Sequence, residues 1–237
     1  MRVTFLAHDG FLIELNTVCL LFDWWKEPTP PLPDKPLLVL ISHRHEDHFN
    51  PEVFTLAERK ADIQFLLGSD FHLLSRNLEK WRLTPEAAAK CRRCGKHDTF
   101  APLPGVTVET FPSTDEGVAW MVTVNGQSIF HAGDLNWWHW AEEGDAWNRN
   151  MEANFKRYTE PLRGRRVDLV MLPLDSRLKT DGYLGPNYFL NLMEVRRFLP
   201  MHQWEDFAFT DEFLSAYPQF APITVKIHRD GEFLGEL

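Results

Sequence analysis

The stretch Leu37-Leu-Val-Leu-Ile-Ser-His43-Arg-His45-Glu-Asp47-His48 joins five apolar residues to a dense group of histidines and aspartates. A short run that is apolar at every position is typical of a strand covered on both faces. Alternate side chains of an extended segment point to the same side, so His43 and His45 are expected to lie together. A turn after them can return Asp47 and His48 to the same region. Imidazoles and carboxylates bind zinc, iron and manganese, so the stretch predicts a metal site at a strand end.

The alternative is a histidine-rich surface loop without a metal. The buried strand directly before the ligands disfavours it.

The segments around this stretch alternate between strand and helix patterns. Residues 3–22 are apolar on either side of Asn16-Thr17, which predicts a hairpin of two strands. The proline-rich residues 27–36 predict an ordered surface loop. Asn50-Pro51 predicts the start of a helix, because asparagine caps helices and proline suits their first position. Further strands are predicted at 63–67, 106–111, 118–124, 127–132, 167–174, just before His202 and at 223–227, and further helices at 71–80, after Thr84-Pro85, at 145–159, near Gly185-Pro186 and at 210–216.

Hairpins combined with strands that alternate with helices predict an α/β fold in which two sheets lie between outer helices. The expected architecture is a four-layer αββα sandwich. A chain of 237 residues with 44% hydrophobic content can bury its core as one domain over residues 1–237. Metal ligands are expected on loops at one edge of the sheets, where functional residues concentrate.

The charge balance disfavours a nucleic-acid partner. With 25 basic and 34 acidic residues the formal net charge is -9, so no general positive field attracts phosphate backbones.

No apolar run is long enough to span a bilayer and the first residues lack a secretion signal, which predicts a cytoplasmic protein without membrane contact. Three cysteines cannot form a disulfide framework, in agreement with a reducing compartment.

Two further segments carry weaker metal-ligand signals. Gly133-Asp134 follows an apolar strand pattern, and His202 follows a short apolar segment. Taken alone, the first pattern is a common turn and the second a common core or surface histidine.

The order of these three pieces resembles the metallo-β-lactamase superfamily: H-x-H-x-D-H after one strand, Gly-Asp after a later strand and a lone histidine near the end. The resemblance extends to the start, where His8 and Asp23 look like parts of the family's opening hairpin, so it covers nearly the whole chain. It implies an αββα sandwich with the metal site at the sheet edge, as in short stand-alone bacterial members.

The resemblance also implies roles for individual residues. It implies a first metal bound by His43 and His45, a second bound by Asp47, His48 and His202, and a bridge at Asp134. The family usually adds a histidine to the first metal from a loop that here is Phe111-Pro-Ser-Thr-Asp115-Glu116-Gly117, without histidine. Asp115 or Glu116 could replace it, since a carboxylate is an acceptable ligand. A single-metal protein, or a loop that takes no part in metal binding, remains open.

A metal-bound water supplies hydroxide at neutral pH, and Asp47 is the candidate to orient that water or accept its proton. His139 is a second catalytic candidate, as a proton donor or a contact to substrate; packing among the neighbouring tryptophans explains it equally well. Aromatic residues flank the predicted ligands and predict an aromatic wall beside the site. They are Trp24, Trp25, Trp137, Trp138, Trp140 and Trp204.

Two other motifs favour structural roles. Arg177 could hold a substrate anion, but an ion pair with Asp175 is preferred. Cys91 and Cys94 with His97 form a single C-x-x-C, which is weak support for a zinc site and favours cysteines without a metal.

The sequence therefore predicts a hydrolase that uses one or two zinc ions, with iron or manganese as alternatives, on an ester, lactone, amide or phosphoester. The expected partner is a small-molecule substrate. A metal-binding protein without turnover is an alternative. An iron-dependent oxidoreductase similar to the flavodiiron proteins is a further alternative and is disfavoured for two reasons. Those proteins carry a carboxylate at the position of His45, and no flavin domain follows in this sequence.

Overall fold

The computed structural model describes residues 1–26, 28 and 31–237, so part of the predicted proline-rich loop lies outside the described residues. The first strands are β1 (Arg2–Ala7), β2 (Gly10–Glu14), β3 (Cys19–Phe22), β4 (Leu37–Ile41), β5 (Ile63–Leu67) and β6 (Cys91–Arg93). The middle strands are β7 (Thr99–Leu103), β8 (Val106–Pro112), β9 (Val118–Val124) and β10 (Gln127–His131). The last are β11 (Arg166–Val167), β12 (Leu169–Pro173), β13 (Glu194–Val195), β14 (Phe198–Met201) and β15 (Phe233–Glu236).

The strands form two large mixed sheets. The first has the order β15-β1-β2-β3-β4-β5-β6 and the second the order β14-β12-β10-β9-β8-β7, while β11 and β13 pair separately. Strands β3 to β6 run parallel to one another, and so do β10, β12 and β14. The predicted hairpin at Asn125-Gly126 joins β9 to β10. Both turn residues have positive φ, 48° and 87°, as a tight hairpin of this hand requires.

The helices cover the outer faces of the sheets. They are α1 (Leu56–Arg59), α2 (Ser75–Lys80), α3 (Pro85–Ala88), α4 (Asp145–Thr159), α5 (Leu184–Leu192) and α6 (Phe209–Ala216). Short 3-10 segments lie at Pro51–Thr55, Glu160–Leu162, Ser176–Tyr183 and Pro218–Phe220. The α/β class with two large sheets is confirmed.

Alternation along β4 shows why its five residues are all apolar. Leu38 and Leu40 pack into the core between the sheets. Leu37, Val39 and Ile41 pack into a second core under the 3-10 segment and α1. Both faces of the strand are therefore buried, as the sequence predicted.

The prediction for residues 3–22 is wrong in one respect, because the segment forms three antiparallel strands rather than two. The chain reverses a first time at His8-Asp9, where His8 has φ of 55°. Apolar residues on both sides of this turn hide it within a continuous strand pattern.

Two other boundaries differ. The helix predicted at 71–80 begins at Ser75. Residues 223–227 form no strand and contribute one bridge, between Thr224 and Phe198. Pro222 lacks the amide hydrogen that a ladder needs. The final strand is β15, which pairs with β1.

Candidate metal centre

Loops that follow parallel strands bring the predicted ligands to one edge of both sheets. His43, His45, Asp47 and His48 follow β4, Asp134 follows β10 and His202 follows β14. The turn between β1 and β2 and the loop between β8 and β9 reach the same edge. The side chains there form two groups: His8, Asp9, His48 and His202 in one, and His43, His45, Asp115 and Asp134 in the other.

The first group is buried. His48 Nε2 lies 3.2 Å from Asp134 Oδ1 and 3.2 Å from Asp9 Oδ2. His202 Nε2 lies 3.5 Å from the same Asp134 oxygen, so Asp134 joins this group to the other. Asp9 and His48 are 0% exposed. We call this set the buried group.

Each of these two histidines is held by a carboxylate on its far nitrogen. His48 Nδ1 lies 2.9 Å from Asp23 Oδ2, and His202 Nδ1 lies 3.0 Å from Asp175 Oδ2. Such carboxylate–histidine pairs fix the tautomer and ring orientation of metal-ligating histidines. Both Nε2 atoms are therefore the nitrogens left for a metal.

The buried group fits a cation. Four of its atoms have no hydrogen-bond partner among the described residues: His8 Nε2, both oxygens of Asp9 and His48 Nε2. The adjoining Asp134 Oδ1 has none either. Buried polar atoms rarely remain unpaired because desolvation is costly. Ligands about 2.0–2.1 Å from a tetrahedral zinc ion lie about 3.3–3.4 Å apart, close to the separations above.

The second group faces solvent, and we call it the open group. His43 Nε2 lies 3.5 Å from Asp134 Oδ2, while the side chains of His45 and Asp115 are 51% and 45% exposed. Burial lowers the pKa of His43 to about 3, which keeps its imidazole in the neutral form that binds metals. An ion held here would be accessible from the cavity.

Asp115 lies where the absent histidine would act. Its Oδ2 is 3.6 Å from His45 Nδ1, and its amide nitrogen donates to Ser113 Oγ at 3.1 Å. Of the two carboxylates considered from the sequence, only Asp115 belongs to a ligand group of the described residues. This geometry favours the carboxylate replacement at Asp115 over Glu116.

Protons and metal compete for the buried group. Burial opposes the charged form of His48, but the carboxylates of Asp134 and Asp9 raise its pKa well above the ordinary value of 6.5. Burial likewise opposes the charge of His202, and Asp9 and Asp134 raise its pKa. Desolvation would raise the pKa of Asp134, but His48 and His202 hold it well below its usual range.

We expect metal binding to release protons, because His48 and His202 must be neutral to bind. Both pKa values are raised, so the metal-free protein holds these protons above pH 6.5 and the apparent metal affinity should increase with pH there. Calorimetric titration with Zn²⁺ at one pH in buffers of different ionisation enthalpy measures the released protons. A binding enthalpy independent of the buffer would contradict this prediction.

Asp47 lies at the edge of the buried group rather than within it. Its side chain is 26% exposed, and its Oδ2 is 3.3 Å from His8 Nε2. Desolvation would raise the pKa of Asp47, but the close approach of His8 and the charge of His48 lower it below its usual range. Asp47 is therefore ionised beside the cavity at neutral pH.

The open group forms part of the wall of a cavity of about 250 Å³. Its lining residues are His45, Asp47, Thr114, Asp115, Asp134, Trp138, Trp140, Trp147, Met151, Arg177, His202 and Trp204. The rings of Trp138 and Trp140 are stacked at 6.2 Å. The cavity lining therefore combines aromatic rings with carboxylates and histidines.

Some of the predicted aromatic wall lies elsewhere. Trp137 packs against Phe155 and Tyr188 in the helix layer. Trp24 is 2% exposed in the core, and Trp25 lines a separate cavity beside His8.

The catalytic role considered for His139 stays a prediction. This residue is half-buried and lies outside the cavity lining of the described residues, whereas Trp138 and Trp140 on either side are part of that lining. His139 and the two tryptophans beside it therefore point in different directions, and the sequence alone does not specify which of them face the cavity.

The preferred ion pair between Asp175 and Arg177 is present. Arg177 Nε donates to both Asp175 oxygens at 3.0 Å, and Nη2 donates to Oδ2 at 2.6 Å. The guanidinium also lies 5.5 Å from the ring centre of Trp140 and 4.6 Å from that of Trp204. These contacts fix Arg177 at the cavity, and its Nη1 atom takes no part in the bonds to Asp175.

Three glycines enclose the residue that precedes the first ligand. A Cβ atom would lie 1.8 Å from Ser42 O at Gly68, 1.9 Å from it at Gly117 and 2.7 Å from Ser42 Cβ at Gly133. Only glycine lets these three loops approach Ser42 so closely. The position of His43 therefore depends on this packing.

Sequence reasoning missed four contributors to the site. Asp9 gave no signal because the turn that contains it was not recognised. His8 and Asp23 were noted only as parts of the opening hairpin, and Asp175 only as a partner of Arg177. Their roles depend on contacts between distant segments.

The cysteines form no disulfide among the described residues. The thiol of Cys91 donates to Ala87 O at 3.3 Å, and that of Cys94 to Arg92 O at 3.7 Å. Neither thiol belongs to a metal-ligand group among the described residues.

Known proteins resemble this chain in sequence and fold. The family described as beta-lactamase superfamily domain matches residues 2–146, more than half of the chain, so the chain belongs to the metallo-β-lactamase superfamily. A UPF0173 metal-dependent hydrolase of Opitutus terrae is 28% identical over 214 residues, which cover 85% of this chain and 84% of the relative.

Solved structures share the fold. Igni18, a metallo hydrolase from Ignicoccus hospitalis, has a TM-score of 0.66 and 18% identity, covering 98% of this chain and 96% of that one. CmlA, a diiron beta-hydroxylase from Streptomyces venezuelae, has a TM-score of 0.63 and 11% identity, covering 96% of this chain and 52% of that one. No helix within the described ranges has both the length and the apolar character needed to cross a membrane.

Proposed function

We propose that this protein is a metal-dependent hydrolase that cleaves an ester, lactone, amide or phosphoester bond of a small molecule with one or two divalent ions, zinc being the first choice. The observation that carries the proposal is the pair of ligand groups that share Asp134 at the edge of a cavity. The name of the relative from Opitutus terrae, a metal-dependent hydrolase, supports it.

The proposed ligands are His43, His45, Asp115 and Asp134 in the open group, with His48 and His202 on the buried side of Asp134. A bound divalent ion lowers the pKa of a coordinated water toward about 7 and polarises a carbonyl or phosphoryl oxygen. Because His45 and Asp115 are half-exposed, water and substrate can reach the open group from the cavity.

Asp47 orients the attacking water in this proposal. A general base works best when its pKa lies near the operating pH, and the pKa of Asp47 is lowered below its usual range. An ionised carboxylate of this kind accepts a hydrogen bond and holds a water in place, but it retains a proton poorly.

The cavity walls suggest how substrate is held. The stacked rings of Trp138 and Trp140 can cover an apolar or planar group. Arg177 Nη1 can bind an oxygen of the substrate, because Asp175 already fixes the guanidinium. The volume of about 250 Å³ suits a small molecule.

A second candidate function is iron-dependent oxidation, which Asp115 favours because two histidines and one carboxylate are the ligand set of non-haem iron oxygenases. Elemental analysis of purified protein separates the two candidates. Stoichiometric iron with a redox-active spectrum would replace hydrolysis as the preferred function.

Two broader properties are also proposals. The three free cysteines support a reducing compartment such as the cytoplasm. The core shared by both sheets supports a single domain over residues 1–237.

Replacing His45 by alanine (H45A) tests the proposed function. We expect the loss of one ion per chain and a decrease in kcat/KM of about 100-fold or more, since a metal contributes several kcal/mol to catalysis. Metal content by mass spectrometry and a panel of chromogenic esters, lactones and phosphoesters provide the measurements.

The matched control is H97A, which makes the same change at an exposed histidine outside the cavity. If H45A kept the metal content and hydrolysis of H97A, the assigned site would be wrong. Wild-type protein that is filled with metal and inactive on the whole panel would favour a non-enzymatic metal-binding protein.

A further inference from the structure

The turn between β1 and β2 brings two buried polar side chains to the buried group. His8 is 8% exposed and Asp9 is 0% exposed. Asp9 Oδ2 lies 3.2 Å from His48 Nε2 and 3.3 Å from His8 Nε2. Both carboxylate oxygens of Asp9 and the Nε2 atom of His8 have no hydrogen-bond partner among the described residues.

The turn is held in place by the loop after β14 and by the last residue of β10. His8 O accepts a hydrogen bond from the amide nitrogen of His202 at 3.2 Å. Asp9 O lies 2.8 Å from His131 Nε2, and that ring is stacked on Phe22. Unpaired side chains on a backbone fixed in this way indicate a site prepared for a ligand rather than loose packing.

The direction of approach distinguishes a metal ligand from an outer partner. Outer carboxylates bind the far nitrogen of a ligating histidine, as Asp23 does at His48 Nδ1. Asp9 instead approaches His48 Nε2, the nitrogen on the metal side. Its position is that of a second donor to the same ion.

We propose that His8 Nε2 and Asp9 Oδ2 are direct ligands of the ion in the buried group, together with His48, His202 and Asp134. The proposal rests on the proposed function only in that an ion binds at this site. Five donors exceed the four that structural zinc usually takes and suit an ion with five or six ligands. The buried position would then differ from the open position in coordination number.

Two aspartates offer a matched test. In D9N a direct ligand is lost, and we expect the affinity for Co²⁺ or Zn²⁺ to fall by more than about 100-fold. In D175N an outer partner is lost, and we expect the 10–100-fold decrease that is typical of such partners. Competition with a chelator of known affinity measures both without substrate.

The visible absorption of the Co²⁺ protein gives a second readout. Co²⁺ with four ligands absorbs more strongly than with five or six, so D9N should intensify the d–d bands of the buried ion and D175N should leave them nearly unchanged.

Thermal unfolding of the metal-free proteins checks that each variant is folded. A cooperative transition in D9N shows that this variant is folded, whereas D175N loses the bonds to Arg177 and His202 and should unfold at a lower temperature than wild type.

The variant H8Q tests the second ligand in the same way. The role of Asp9 would be overturned if D9N lost no more metal affinity than D175N and kept the Co²⁺ absorption unchanged. The role of His8 would be overturned if H8Q lost no more affinity than D175N and kept the same absorption. Metal binding is measured without turnover, so these failures differ from a failure of hydrolysis, in which wild type binds ions but cleaves nothing.

Discussion

Asparagine in place of Asp134 (D134N) is expected to prevent stoichiometric metal binding and to lower kcat/KM by at least about 1000-fold. Asp134 Oδ1 faces His48 and His202 on the buried side, while Oδ2 faces His43 on the open side. No other described side chain belongs to both sides in this way. Each ion contributes several kcal/mol to catalysis, and about 1.4 kcal/mol corresponds to a factor of ten.

Metal content and hydrolysis of the best chromogenic substrate are measured on the same preparations. The control is D168N, which removes a carboxylate that accepts a hydrogen bond from the amide nitrogen of Ser128 at 3.0 Å, away from the cavity. D134N should lose both metal and activity, and D168N neither. Two ions retained in D134N would show that Asp134 is not the shared ligand.

Alanine at Gly117 (G117A) is expected to destabilise the fold by about 3 kcal/mol or more and to displace the open group. Gly117 has φ of 68°, and a Cβ there would lie 1.9 Å from Ser42 O and 2.7 Å from His43 Cβ. The left-handed conformation costs about 1–2 kcal/mol for a residue with a Cβ. Forcing apart well-packed atoms adds about 1–3 kcal/mol.

Gly126 separates these two causes. It has φ of 87°, but a Cβ there would meet nothing within 4 Å. G126A should therefore show the conformational cost alone, about 1–2 kcal/mol. Urea unfolding of the metal-free proteins measures the free energies. Equal destabilisation in G117A and G126A would mean that the approach of Gly117 to Ser42 does not hold His43 in place.

The sequence specified those features that depend on neighbouring residues. The apolar run of β4, the cap at Asn50 and the turn at Asn125-Gly126 are local signals, and the structure contains each of them. The proposed ligands after β4 follow directly from one such run. Local patterns of this kind also predicted the two-sheet α/β class.

Features that depend on distant contacts were missed. The alternation Phe5-Leu-Ala-His-Asp9 continues into apolar residues, so it hides the turn that brings His8 and Asp9 to the site. The partners of His48 and His202 come from 25 and 27 residues away along the chain. Which tryptophans face the cavity depends on the path of an irregular loop, and no periodicity describes such a path.

The two ligand groups draw on both sheets. His8, Asp9, His43 and His48 lie on loops of the first sheet, whereas Asp115, Asp134 and His202 lie on loops of the second. Neither half of the chain carries a full set of donors. With the proposed ligands, a partly folded chain whose last segments have not packed lacks His202 and cannot assemble the complete set of donors.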